Sequence, residues 1–376
     1  MDDEQRSLLS LVLAGGQVAP RRQLLERHGS AAAALAAGPA AWREAGLAPE
    51  AAASLRRPDP ATMASAARWL AASPTHQLIG WDSADYPALL RGTGSPPLAL
   101  FVDGDPDVLW QPGIAIVGSR NASAGGRDNA RHFALALAQA GLCINSGLAA
   151  GIDVCAHEAA LSLPQARSIA VVGTGLDMTY PARHAALHRR IAAQGAVVSE
   201  HPPGTPPKAS HFPSRNRILA GLSLGTLVVE AANRSGALIT ARQAAEAGRE
   251  VFAIPGSIHN PLARGCHRLI RDGAALLETA DEAIAALAPV ATTLASALRG
   301  RLAPTPSHPH LGSAAAAPLP QGDYHRLWNA LGHDPTPMDE LVQRTGLTSA
   351  VLSSMLLVME LDGQVAVEHG RYSRKS

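Results

Sequence analysis

The sequence predicts an α/β protein: a Rossmann-like, doubly wound parallel sheet flanked by a small N-terminal helical domain and a C-terminal winged-helix domain. Three observations carry this. Between residues 113 and 256, short apolar runs alternate with stretches of helical character. Runs without apolar–polar alternation belong to strands covered on both faces, as in parallel sheets. A stretch of Ala, Thr, Pro, Ser and His over 289–321 sets residues 322–376 apart. The length, 376 residues, exceeds one ordinary domain.

Residues 1–75 are rich in Ala, Leu and Arg and are punctuated by Gly15-Gly16, Gly29, Gly38 and Gly46. They read as short helices joined by tight turns. Residues 76–112, with Trp81, Tyr86 and Pro96-Pro97, read as an irregular connector. The main domain, 113–288, has strands at Ile114–Val117, Leu142–Asn145, Ser168–Val172, Ala196–Ser199, Thr226–Glu230 and Glu250–Ile254. Helices over about 126–140, 151–161, 183–194, 214–222 and 236–247 connect them. Residues 289–321 read as a flexible linker. In 322–376, helices at Tyr324–Leu331, Met338–Thr345 and Thr348–Leu361 precede a strand at Gln364–Val367, the order of a winged helix-turn-helix. No basic residue lies between Ser349 and Glu360, so its third helix suits a protein contact better than a DNA groove.

Hydrophobic residues at 47% supply a real core, and a net charge of +1 excludes a globally basic nucleic-acid binder. Any such site must be local. Arg outnumbers Lys by 30 to 2, which genomic base composition suffices to explain. Three cysteines without a CxxC argue against a disulfide framework and a Cys-based zinc site. The start, Met1-Asp2-Asp3-Glu4, lacks a signal-peptide pattern, and no uncharged apolar run reaches about 18 residues. The expectation is a cytoplasmic protein with no membrane span.

One stretch stands out chemically. His211-Phe-Pro-Ser-Arg-Asn-Arg217 sets an aromatic among cations in a chain with only 3% aromatics. Lys208 precedes it, and no acidic residue lies between His201 and Arg217. An aromatic face stacks a nucleobase, and guanidinium groups pair with phosphate oxygens. The plainer reading is a helix start, with Pro213 in the first turn and Phe212 folded inward. Gly- and Ser-bearing loops follow the strand ends: Gly118-Ser-Arg120, Ser146–Asp153, Gly173-Thr-Gly175, Asn233–Gly236 and Pro255-Gly-Ser257. Ligands of doubly wound sheets sit at such ends, although every α/β protein also needs Gly and Ser in its turns.

Catalytic motifs are incomplete. Gly173-Thr-Gly175 lacks the third glycine of a dinucleotide fingerprint, and no Walker A sequence occurs. Gly221-Leu-Ser-Leu-Gly225 matches GxSxG, but a helix precedes it and a strand follows, the reverse of a nucleophile elbow. Asp153 and His157 share a helix face with Ser146 nearby and read as a local pair rather than a triad. His184 and His188 lack a third ligand. No catalytic residue, metal or cofactor is expected.

The ordered set of motifs resembles the DprA (Smf) family of DNA-processing proteins of natural transformation. It comprises Val117–Arg120, Ser146–Asp153 with His157, Gly173–Asp177 with Tyr180-Pro181, and Ser199-Glu200 with Pro202–Gly204. Phe212–Ile218, Leu227–Ala231, Ser235–Ala241, and Gly248-Arg249 with Pro255-Gly256 complete it. The resemblance implies a non-enzymatic homodimer that binds single-stranded DNA without sequence preference and loads the RecA recombinase onto it. It assigns DNA contacts to Arg120, Phe212, Arg215, Asn216 and Arg217. Lys208, Ser119, Ser235 and Gly236 are added as candidates. The chain departs from the family pattern at Arg183-His184 and at His267. An enzymatic alternative is a phosphoribohydrolase of the lysine-decarboxylase-like type acting through Glu230; its PGGxGTxxE signature is only partly met by Gly225-Thr226 and Glu230.

Overall fold

The computed structural model describes residues 2–302, 321–331, 336–349, 351–352, 355–356, 359, 365–368 and 371–374. Residues 1–304 and 305–376 form two compact units.

The first unit begins with six helices: α1 (Asp3–Leu13), α2 (Val18–His28), α3 (Ala31–Ala36), α4 (Gly38–Glu44), α5 (Pro49–Arg56) and α6 (Pro60–Ala72). Side chains of Asp2, Ser30 and Asp59 accept N–H bonds at the starts of α1, α3 and α6, as N-caps do. Buried Arg21 donates to the carbonyls of Leu11, Val12 and Gly16, satisfying the orphan acceptors where α1 ends. These helices do not close a core of their own. Leu9, Leu24, Trp42 and Trp69 share one apolar cluster with Leu78, Phe101 and Val197 from the sheet. The helical segment is thus a layer on the sheet.

The sheet has nine strands: β1 (His76–Gly80), β2 (Ala99–Gly104), β3 (Gly113–Val117), β4 (Cys143–Ser146), β5 (Ser168–Val171), β6 (Ala196–Ser199), β7 (Gly225–Val228), β8 (Glu250–Ala253) and β9 (Ala275–Leu276). Their order is β1-β2-β6-β5-β4-β3-β7-β8-β9. Neighbours from β6 to β9 pair in parallel, whereas β2 pairs antiparallel with both β6 and β1. Residues 76–112 are therefore corrected from an irregular connector to an edge strand, β1, the strand β2 next to it and the short helix α7 (Ala88–Arg91). The Pro pair hid them: Pro96-Pro97 precedes β2, where a strand edge tolerates proline. Strand alternation divides the core. Ile114 and Ile116 of β3 pack on one side, and Ala115 and Val117 on the other.

The crossover helices are α8 (Ala124–Gln139), α9 (Ile152–Ala160), α10 (Ala185–Gln194), α11 (His211–Gly221), α12 (Gly236–Glu246) and α13 (Arg264–Arg271). A last helix, α14 (Ala280–Leu302), runs into the segment expected to be a flexible linker. Pro289 lies inside it and removes one backbone hydrogen bond. Buried Leu287 and Leu294 on either side hold the helix against the sheet domain. Arg301 anchors its end to Asp85 at 2.7 Å and Asp107 at 3.2 Å, over Trp110. By length and composition alone, residues 280–301 are apolar enough to cross a membrane; in the fold they lie along the protein. The rest of the expected linker, 303–320, is outside the described residues.

The second unit contains α15 (Gln321–Ala330), β10 (Thr336–Pro337), α16 (Met338–Thr345), β11 (Val365–Glu368) and β12 (Arg371–Arg374). β12 pairs antiparallel with β10 and β11. Leu327, Leu341, Leu352, Leu356 and Val365 form its core. These elements fit the expected winged helix; its third helix, expected over Thr348–Leu361, lies largely outside the described residues.

Candidate nucleic-acid interface

The strand order reverses between β3 and β7, so their carboxyl ends frame the crevice where doubly wound sheets hold ligands. A cavity of about 840 Å³ occupies that place. The loop after β3 (Gly118–Asn121), the loop after β7 (Ala232, Arg234, Ser235) and the first turn of α11 line it.

The helix starts near this rim are filled differently. The start of α8 is taken by Glu230, whose buried carboxylate accepts from the N–H of Ser123 at 2.9 Å and from its hydroxyl. The start of α9 holds Asp153, which accepts from the N–H of Ala149 at 3.1 Å. The start of α12 carries no acid: Ser235 caps it through its hydroxyl, and Gly236 is exposed beside the cavity. A helix N-terminus without its own carboxylate is the one that accepts a phosphate.

The opposite wall is α11. Phe212 is half-buried and lines the cavity. The Arg120 guanidinium lies over its ring at 5.7 Å, and the Tyr180 ring is 5.5 Å away at 39°. Tyr180 is 48% exposed, the most open aromatic face at the site. Sequence reasoning placed Tyr180 in a motif without assigning it a role; its exposure depends on the loop after β5 reaching α11. Behind the wall, the rings of His201 and His211 stack at 4.0 Å. Burial, with the nearby His211, Arg217 and Lys208, pushes the His201 imidazole down to about 4.

The two motif arginines turn inward. Arg215 is buried and donates to the carbonyl of Val171, and through Nε to Asn216 Oδ1 at 2.9 Å. Its guanidinium packs on Gly147, where a Cβ would collide with it. Burial pushes Arg215 down to about 10, opposed by Asp153, so it stays charged at neutral pH. Burial raises Asp153, and Arg215 opposes that rise. Arg215 thus lines the cavity with Nε and Nη1 committed to protein acceptors. Arg217 pairs with Glu200 and donates to the Ser95 carbonyl at 2.8 Å, away from the cavity lining. Lys208 is exposed and also lies outside that lining. Of the nine expected contacts, the cavity gathers Ser119, Arg120, Phe212, Arg215, Asn216, Ser235 and Gly236. Arg234, which no motif reasoning singled out, joins them.

The side chains weighed for catalysis and metal binding have other partners in the fold. Ser146 donates to the Ile116 carbonyl, and His157 bonds Ser168 at 2.7 Å, so no triad forms with Asp153. Ser223 is buried between Asn145 and the Leu219 carbonyl. His184 and His267, where the chain departs from the family pattern, each bond a loop carbonyl, Leu148 and Gly256, at 2.9 Å. Both are loop braces. Among the described residues, no three His, Cys, Asp or Glu side chains gather as metal ligands.

Fold and cavity together define a Rossmann-like ligand-binding protein with an appended winged helix. A family model described as DNA recombination-mediator protein A matches residues 77–288, and one described as DprA winged helix domain matches 312–371. Protein Smf of Escherichia coli (strain K12) is 43% identical over 307 residues, 81% of this chain and 79% of its own length. DNA processing protein DprA of Streptococcus pneumoniae is 46% identical over 200 residues, 53% of this chain and 70% of its own. The X-ray structure of DNA processing protein A from Streptococcus pneumoniae superposes with a TM-score of 0.64 at 34% identity, covering 76% of this chain and 98% of that one. The Helicobacter pylori DNA processing protein A structure gives 0.50 at 28% identity, covering 54% and 93%. The chain belongs to the DNA recombination-mediator protein A (DprA/Smf) family.

Proposed function

We propose that this protein binds single-stranded DNA in the cavity at the β3–β7 switch point and hands it to the RecA recombinase, acting as a cytoplasmic homodimer without catalysis. One observation carries the reading: an aromatic–guanidinium cluster faces an uncapped-by-acid helix start across one cavity. Phosphate goes to the α12 start, with Arg120, Arg234 and Ser119 around it. A base goes to the Phe212–Tyr180 platform. The Arg120 guanidinium leaves the ring as the base arrives and turns to a phosphate. That exchange is downhill, because an exposed cation–π contact is worth about 0.5–1 kcal/mol and base stacking about 1–3 kcal/mol. Backbone and ring contacts of this kind impose no required sequence.

The relatives support this reading: the Helicobacter pylori protein is described by its single-stranded DNA binding mode. The enzymatic alternative loses its acid, because Glu230 is spent on the start of α8. The winged helix, whose sequence has no basic residue between Ser349 and Glu360, serves a protein contact in this scheme.

Fluorescence anisotropy with matched single- and double-stranded oligonucleotides tests the proposal. Single strands should bind tighter, with affinity falling steeply as salt rises. Equal or salt-independent binding would overturn it. Incubation with nucleoside monophosphates should release no free base. RecA uptake on the same oligonucleotide should rise when the protein is present.

A further inference from the structure

Asn216 follows Phe212 by four residues on α11, so both side chains occupy one helix face, with Cβ atoms about 5–6 Å apart. Both line the cavity. The orientation of the Asn216 amide is fixed from behind. Arg215 Nε donates to Oδ1 at 2.9 Å, and a guanidinium has no acceptor, so the oxygen must face it. The guanidinium cannot swing away, since it is buried, bonded to the Val171 carbonyl and seated on Gly147. The Nδ2 group is left with two N–H donors and no hydrogen-bond partner among the described residues. A half-buried amide in a ligand cavity thus presents donors only, one helical turn from the ring on which a base would stack.

We propose that Asn216 reads base chemistry in this groove: its Nδ2 donates to the carbonyl oxygen of a base seated at Phe212, favouring thymine and other carbonyl-bearing bases over adenine. Adenine's Watson–Crick and Hoogsteen edges offer N1 and N7 as acceptors, each beside the exocyclic N6 amino donor, and its third acceptor, N3, lies on the sugar side. Against a donor-only amide, those two edges set donor against donor. Thymine has no exocyclic amino group, and its O4 can be approached from the C5-methyl side, away from the single N3–H. Arg215 acts here as a positioning residue, because it sets which end of the amide faces the strand. The inference rests on the single-strand reading above. It adds to that reading a graded preference rather than a required sequence.

The test measures affinities of the full chain for dT and dA oligonucleotides of equal length at fixed salt. The preference for dT should be about fivefold, the factor that one net hydrogen bond of about 1 kcal/mol gives. Asn216→Ala should bring the dT:dA ratio down toward that of a stacking-only site. Using the change in ratio between wild type and variant cancels the self-stacking of dA strands. Asn216→Asp keeps the acceptor for Arg215, and hence the local fold, but removes the donors. It should also lose the preference, with weaker binding of both strands. A dT:dA ratio unchanged in both variants would overturn the inference while leaving single-strand binding intact. Absence of binding to any oligonucleotide by the wild type would overturn both.

Discussion

The two walls of the groove carry arginine in opposite ways. The β3 loop holds one arginine, Arg120, exposed and resting on Phe212. The α11 wall holds two within three residues, yet Arg215 is buried toward Asp153 and Arg217 is tied to Glu200. Charge in a motif is therefore not charge available to a ligand. One wall offers a mobile cation. The other uses one buried and one half-buried cation to stiffen a surface whose working groups are a ring and an amide.

The largest effect that would break this comparison comes from Arg215→Ala. It empties the seat on Gly147 and strips the Val171 carbonyl and Asn216 Oδ1 of their donor, so stability should fall by about 2–5 kcal/mol in urea unfolding. A variant as stable as wild type would place Arg215 on the ligand side after all. Next, Phe212→Ala should weaken single-strand binding by about 1–3 kcal/mol, with little change in the unfolding midpoint. Arg120→Ala should leave stability unchanged and lower the slope of log affinity against log salt by about 0.7, one phosphate's share on a single strand. A slope that does not move would remove Arg120 from the phosphate path.

Acid should loosen the α11 wall. The His201 imidazole is depressed to about 4 in the fold, whereas the unfolded chain takes up its proton near the ordinary value. No stability is lost to this group above about pH 6.5; it drains away as pH falls from there toward 4. His201→Gln should flatten part of that decline, by less than about 1 kcal/mol at pH 5.5 given partial solvent exposure. Urea midpoints at pH 7.5 and 5.5 measure it. The smallest effect belongs to Arg217→Ala. Stability should change by no more than about 1 kcal/mol, and the salt slope should stay put. A salt slope lowered as much as in Arg120→Ala would return Arg217 to the groove.

Much of the sheet domain was legible because its strands are apolar throughout and end in small residues. Ile114–Val117 and Ser168–Val171 fall where the apolar runs lie. The antiparallel strands β1 and β2 were not, since His76–Gly80 is short and part polar, and β2 follows a proline pair. The helix α14 escaped because Pro289 reads as a stop locally, and only packing of Leu287 and Leu294 overrides it. At the site, the Phe212–Arg120 pairing was foreseeable from motifs on neighbouring strand ends. The inward turn of Arg215 was not. It depends on Asp153 and Gly147, which the loop after β4 brings from more than sixty positions away in the chain.

Gly147 gives that distance a practical meaning. Its missing side chain is the seat of the Arg215 guanidinium, so the two positions behave as one unit in any grafting or shuffling of this domain. A chimera that takes the β4 loop from one parent and α11 from another inherits a working lock only if both parents supply matching halves. A methyl group at 147 would evict the guanidinium, free the Asn216 amide to flip, and alter the groove without touching a single residue on its rim.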